Sequence, residues 1–353
     1  MKAPFPWFGG KRRVADIVWA RFGNVCNYVE PFAGSLAVLL ERPHQPNIET
    51  VNDINCYLAN FWRAVSAEPQ AVAEWSDWPV NEADLHARHT WLVGQAQFRE
   101  RMKTDPDYFD VKIAGWWVWG ISQWIGSGWC DKATWCRFDM SKPRGIHRKR
   151  MNLRRGGVGV HRKLPHLYGH NGASGRGVHR SKPDISGCRG ASGRGVHGAE
   201  IGAGVYGYFE ALAARLRRVR VCCGDWLRVL GPSPTIAIGE TAVFLDPPYG
   251  VEDRDEVYTD DSREISKKVR EWAIQNGSEP LMRIALCGYE GEHEMPDNWR
   301  CVSWLPQGGY GRKRGKENRQ RERIWFSPHC LVPENSTPML PLEAAGSQEV
   351  THA

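Results

Sequence analysis

The sequence predicts an α/β fold: a doubly wound, Rossmann-like, mostly parallel sheet interrupted by an inserted helical and loop-rich lobe. Three observations predict it. Short apolar runs end abruptly on acids, in "NYVEP", "VNDIN", "CCGDW" and "AVFLDPPYG". Amphipathic helical stretches separate most of these runs. Between residues 81 and 205 the rhythm of strand and helix stops, over a span far longer than a connecting loop. Strands buried on both faces read as continuous apolar runs, and in open sheets of this kind ligands bind beyond the strands' carboxyl ends. The terminal acids are therefore candidates for chemistry, although each alone is more often a turn or helix cap.

The elements follow in order. "NYVE" is a strand, "PFAGS" a turn, "LAVLLER" an apolar helix and "IETVNDIN" a second strand. From Asn81 the pattern becomes helical in "EADLHARHTWLVGQAQFRERM". The next segment, residues 113–130, runs 18 residues without a charge, but it holds five Trp and four Gly and no Leu. Trp favours membrane interfaces over bilayer centres, so this reads as buried helix and loop, with no membrane partner expected. Sheet-like text resumes after Tyr206 with the helix "YFEALAARLRRV" and strands "RVCCGD", "AVFLDPPY", "RIALCGYE" and "RERIWFS"; the helix "DSREISKKVREWAIQNG" lies between the second and third. The expected division is residues 1–80 with 206–330 as the sheet-bearing domain, 81–205 as the inserted recognition lobe, and 331–353 as a disordered tail.

Composition narrows the class. With 41% apolar residues and 17 Trp the chain is not a solvated, disordered one. Its ten Cys include no CxxC pair, which suits reduced thiols in the cytoplasm. The N-terminus "MKAPFPWFGGKRR" has no apolar export region, and a cytoplasmic monomer is expected. The formal charge of +7 is concentrated: residues 141–205 carry 14 Lys and Arg against Asp184 and Glu200, leaving the remainder net acidic. A second basic focus, "GGYGRKRGKENRQRER" at 308–323, has seven Lys and Arg against two Glu. Localised cationic stripes point to a polyanion partner, most often nucleic acid.

The first basic segment contains a repeat, "GASGRGVH" at 172–179 and again at 190–197. Its 15 glycines over residues 141–205 argue for an extended arm that presents Arg and His to phosphates. Arg148, Lys149, Arg150, Arg162, Arg176 and Arg194 are the candidate DNA contacts there, and Arg312, Lys313 and Arg314 in the second focus. A metal site from His161, His166, His170, His179, Cys188 and His197 is the alternative, but these spacings match no standard zinc pattern and no metal is expected.

Four pieces carry candidate chemistry. "PWFGGK" gathers Trp7, two glycines and Lys11, suited to covering a ligand and meeting a carboxylate. "YVEPFAGS" closes a strand on Glu30 and turns through Phe32 and Gly34 into a helix, a place for exposed backbone N–H groups. "VNDIN" and "CGD" end the next strands in Asp53 and Asp225, and an acid at the former position in this fold accepts hydrogen bonds from ribose hydroxyls. In Asp246, Pro247, Pro248 and Tyr249, the prolines fix φ and remove two donors. A carboxylate and the Pro247 carbonyl are left as rigid acceptors for something with N–H groups.

These motifs, with "FPWFGGK", "DPPYG", the weaker "LCGYE" and "GGYGRKR…ERIWF", resemble in kind and order the Dam-like, α-group DNA adenine-N6 methyltransferases over most of residues 4–326. The resemblance implies S-adenosylmethionine as cofactor and double-stranded DNA as partner. Trp7, Lys11, Glu30, Phe32, Gly34, Asp53 and Asp225 would bind it, with Lys11 near its carboxylate, Asp53 at the ribose and Asp225 near the adenine. It implies Asp246 to Tyr249 as the catalytic loop, with Tyr249 stacking on an adenine rotated out of the duplex. The second glycine of the family's cofactor loop is Leu36 here. Cytosine-N4 or RNA amino methylation, or a non-catalytic DNA-binding protein on the same fold, are the alternatives.

Overall fold

The computed structural model describes residues 1–7, 11–124, 129–130, 204–249, 261–304 and 321–333. Among them, seven strands form one sheet: β1 Asn27–Glu30, β2 Ile48–Asp53, β3 Val219–Cys223, β4 Thr241–Leu245, β5 Met282–Tyr289, β6 Arg300–Ser303 and β7 Glu322–Phe326. Their order is β3-β2-β1-β4-β5-β7-β6. The first five are parallel, and β7 runs antiparallel to both β5 and β6. From β1 the chain winds outward through β2 to β3, then returns to place β4 on the other side of β1. The crevice between the ends of β1 and β4 is therefore the switch point where such sheets bind ligands. Every residue of β1 and β4 is buried, which accounts for the apolar run Ala242–Leu245 in β4, while β1 also buries Asn27 and Glu30.

Nine α-helices accompany the sheet among the described residues: α1 Ala15–Phe22, α2 Ala37–Leu40, α3 Cys56–Ala67, α4 Pro69–Ser76, α5 Glu82–Val93, α6 Phe98–Thr104, α7 Val111–Gln123, α8 Gly204–Leu216 and α9 Asp261–Asn276. Local chemistry sets their starts. Asn55 caps α3 by accepting the Tyr57 and Leu58 N–H groups, Asn81 caps α5, and Asp110 caps α7 through the Ile113 N–H. The helical run after Asn81 is two helices, because the chain turns at Gly94.

The charge-free Trp-rich segment forms α7, which packs against α3 and α4. Gly115 permits that approach: a Cβ there would lie 2.3 Å from the Trp75 Cβ. Trp117 and Trp119 are fully buried, and Trp117 touches Phe5 and Phe61 in the same core that covers the sheet. No helix among the described residues is long and apolar enough to cross a membrane.

Under α2 and α8 lies a buried ion cluster. The Glu49 carboxylate, on β2, accepts from Arg42 at 3.1 Å and from Arg215 at 2.7 and 3.0 Å. The two guanidinium groups also donate to the Val25 and Leu39 carbonyls, so this cluster ties β2 to the helices on one face of the sheet.

The repeats of residues 141–205 and the candidate contacts Arg148, Lys149, Arg150, Arg162, Arg176, Arg194, Arg312, Lys313 and Arg314 lie outside the described residues, as does the tail from 334 onward.

Candidate active site

The turn after β1 is held from three sides. Gly34 lies at φ +47°, and a Cβ on it would come within 2.7 Å of Trp7 Nε1, so Trp7 can cover the turn only while this residue is glycine. The Trp62 indole donates to the Gly34 carbonyl at 3.1 Å. The Gly34 N–H donates to Asp53 Oδ2 at 3.0 Å, and the Asn55 N–H to Asp53 Oδ1 at 2.8 Å. With Ala33 donating to Asn52 O and Leu36 to Ala33 O, three N–H groups of the turn are spent inside the protein. This differs from the exposed donors anticipated from the sequence. The cause is Asp53, whose half-buried carboxylate requires partners.

Leu36, in place of the expected glycine, adopts the left-handed conformation itself, at φ 53° and ψ 30°. That backbone costs roughly 1–2 kcal/mol for a residue with a Cβ. Complete burial of the side chain contributes about 1.5–3 kcal/mol and offsets it. The turn therefore keeps a glycine-like path with a leucine in it.

Asn52 is a site residue that sequence reasoning passed over. Its buried Nδ2 donates to the Pro31 carbonyl at 3.1 Å and the Gly224 carbonyl at 3.0 Å, joining the loops that follow β1 and β3. Asp225 is exposed and accepts from the Leu227 N–H at 2.8 Å, capping a 3-10 turn over Trp226–Val229. Phe32 stacks on Trp226 with centroids 6.0 Å apart. Beside the two acids stand apolar side chains that are largely bare, Ile54 at 67% and Leu227 at 51% exposed. Between them these four residues offer two carboxylates and two apolar surfaces, the requirements of a nucleoside.

Across the switch point, the end of β4 holds a second cluster. Lys11, in a 3-10 turn before α1, buries its ammonium 3.1 Å from Asp246 Oδ1 and 3.7 Å from Glu322 Oε2. It also donates to the Tyr249 hydroxyl at 2.7 Å. That hydroxyl lies 2.9 Å from Glu322 Oε2 and 3.2 Å from Asp246 Oδ1. With one hydrogen to give, it favours the nearer Glu322. At an effective dielectric of about 20, each Lys11–carboxylate attraction is on the order of 4–5 kcal/mol before desolvation, so neither acid dominates. Burial alone would lower the Lys11 pKa, but Asp246 and Glu322 more than compensate and keep it charged. Burial, followed by the charges of its neighbours, raises the Tyr249 pKa and keeps the phenol neutral. The Tyr249 ring packs edge-on against Tyr289 at 4.7 Å and is 5% exposed, directed inward rather than toward an incoming base.

Residues 7–89 match the family model for D12 class N6 adenine-specific DNA methyltransferase. The match covers under a quarter of the chain and supports a DNA adenine-N6 methyltransferase. No curated protein matched it. The matched span contains Trp7, Lys11, the turn through Gly34, and Asp53; the methyltransferase's Asp246 loop lies beyond it and is joined to it by the adjacency of β1 and β4.

Two acids of the methyltransferase are electrostatically unusual. Glu30 is buried and accepts from the Tyr28 hydroxyl at 2.9 Å, and burial holds its pKa well above the usual carboxylate range. Burial raises the Asp53 pKa from 3.8 to about 6 despite its backbone hydrogen bonds. Ionising Asp53 therefore costs the ligand-free fold stability. Its contribution is most favourable below pH 3.8, declines as pH rises, and levels off above about 6. Ligand hydroxyls that donate to the carboxylate act in the opposite sense. Nucleoside-cofactor affinity is thus expected to weaken as pH falls below about 6, approaching tenfold per unit, and Asp53→Asn to flatten the dependence. Calorimetric titration from pH 5 to 7.5 measures both.

Proposed function

We propose that the methyltransferase uses S-adenosylmethionine to methylate adenine N6 in duplex DNA, with the base rotated out of the stack and its amino group presented to Asp246 and the Pro247 carbonyl. The observation that carries this reading is the placement of the Asp246 loop across the β1–β4 switch point from a turn built to cover a nucleoside. The residues fit such a cofactor. Gly34 lets the Trp7 ring lie directly over the turn where a Cβ would clash, Asp53 is a half-buried acceptor, and Ile54 and Leu227 are apolar surfaces beside acids. When bound, the cofactor supplies a methyl group on a sulfonium.

The chain's own residues do the rest. An exocyclic amino nitrogen is a weak nucleophile because its lone pair is delocalised into the ring. Accepting its two N–H hydrogens at Asp246 and Pro247 localises and aims that pair, a gain from preorganised acceptors and alignment. The nitrogen sheds a proton after transfer, and Asp246 is the adjacent acceptor. Trp7, Gly34 and Asp53 hold the donor side, while Asp225 stands at its adenine end. Lys11 acts on Asp246 rather than on the cofactor carboxylate in this reading, since its ammonium is already enclosed there. Stacking of Tyr249 on the flipped base would require its ring to turn away from Tyr289.

The basic residues of 141–205 and 308–323 contact DNA phosphates in this proposal, and the enzyme works as a cytoplasmic monomer. One chain supplies every member of the cluster formed by Lys11, Asp246, Tyr249 and Glu322. The test is incubation with the cofactor and unmethylated, PCR-generated duplex DNA, followed by nucleoside mass spectrometry. N6-methyldeoxyadenosine is expected; methyl transfer confined to cytosine, or to RNA, would refute the proposal.

A further inference from the structure

Glu322 entered the sequence analysis only within the strand "RERIWFS" and as one of two acids in a basic run, yet it is the inner wall of the cluster around Lys11. It opens β7 opposite Tyr289 of β5, so a rigid antiparallel pair sets its position. Of the two carboxylates that share Lys11, the Asp246 side chain is 22% exposed and that of Glu322 is 8% exposed. Asp246 thus faces the open crevice and Glu322 stands behind the ammonium. Lys11 grips Asp246 through one oxygen, Oδ1, and also donates to the Tyr249 hydroxyl, whose own hydrogen goes to Glu322. A carboxylate gripped on one oxygen presents the other in a fixed direction.

We propose that Glu322 is a positioning residue for methyl transfer: it holds Lys11, directly and through the Tyr249 hydroxyl, so that the ammonium orients Asp246 without neutralising it. The inference rests on the reading of Asp246 as the acceptor of the target amino group. One ammonium divided between two carboxylates leaves Asp246 a strong acceptor beside a nitrogen that becomes cationic during transfer. Without the Glu322 charge, Lys11 belongs to Asp246 alone and weakens it as an acceptor.

Single-turnover methyl transfer on duplex DNA tests this with Glu322→Gln, which is isosteric and keeps an acceptor for the Tyr249 hydroxyl. The expected rate is roughly 10- to 100-fold below wild type, with dissociation constants for cofactor and DNA changed less than about threefold. In a Lys11→Met background, followed over long incubations, the same substitution is expected to change the rate less than about threefold, because the ammonium it regulates is gone. Glu322→Asp, which preserves the charge, should recover part of the rate; it also serves if the Gln variant fails to fold. A Glu322→Gln rate within threefold of wild type would overturn the proposal, as would an equal drop with and without Lys11. An active Asp246→Ala enzyme would instead remove the underlying reading of Asp246, which keeps the two failures apart.

Discussion

Asp246→Ala is expected to lower the methyl-transfer rate by a factor on the order of 10³ or more, while cofactor and DNA binding stay within a few-fold of wild type. The carboxylate supplies one of the two acceptors that localise the amino lone pair, and its loss is felt in the transition state more than in the ground state. A thousandfold loss corresponds to about 4 kcal/mol of barrier, within the range of a single preorganised electrostatic contact. The fold should tolerate the change, because Lys11 keeps Glu322 as a counterion and Asp246 is only partly buried. Asp246→Asn retains an acceptor oxygen without its charge and is expected to fall between the two. Radiolabelled methyl transfer, with equilibrium binding measured in parallel, separates the rate effect from binding. An Asp246→Ala enzyme within tenfold of wild type would place the chemistry elsewhere.

The largest effect on stability is expected at Glu49. Its carboxylate is wholly buried and neutralises Arg42, whose side chain is also fully buried, as well as Arg215. Glu49→Gln keeps the shape but leaves two guanidinium groups without a negative partner. Arg215 is 15% exposed and can turn to water, whereas Arg42 cannot. Removing one member of a buried pair typically costs 3–5 kcal/mol, and a loss of about 3 kcal/mol is expected here. Urea denaturation followed by tryptophan fluorescence measures it as a lower midpoint with little change in slope. A loss under 1 kcal/mol would show that the cluster relaxes around a neutral side chain.

The elements most visible in the sequence are those whose physics is local. β4 is buried on both faces and therefore spelled as the apolar run Ala242–Leu245, and Asp246 after it is marked by the change from apolar to charged. β6 was not anticipated, because Arg300–Ser303 is a short edge strand with mostly exposed side chains and no apolar pattern to betray it. The missed site residues owe their roles to distant partners. Asn52 stands inside a motif noticed for Asp53, but its contact with Gly224 spans 172 positions. Glu322 sits in a text of Lys and Arg that suggests a solvated surface, and only its pairing with β5 carries it inward. Lys11 and Tyr249 were both singled out, although nothing local discloses that 238 positions separate two groups in direct hydrogen bond.

Helices α7 and α8, the last described helix before residues 131–203 and the first after them, both pack against α4. The chain thus leaves and re-enters the core against one shared helix, and the sheet order does not depend on what joins them. A lineage could therefore lengthen, shorten or trade the intervening segment while inheriting the packing of α4 on its neighbours unchanged, and selection on the two parts would proceed at different speeds within one polypeptide.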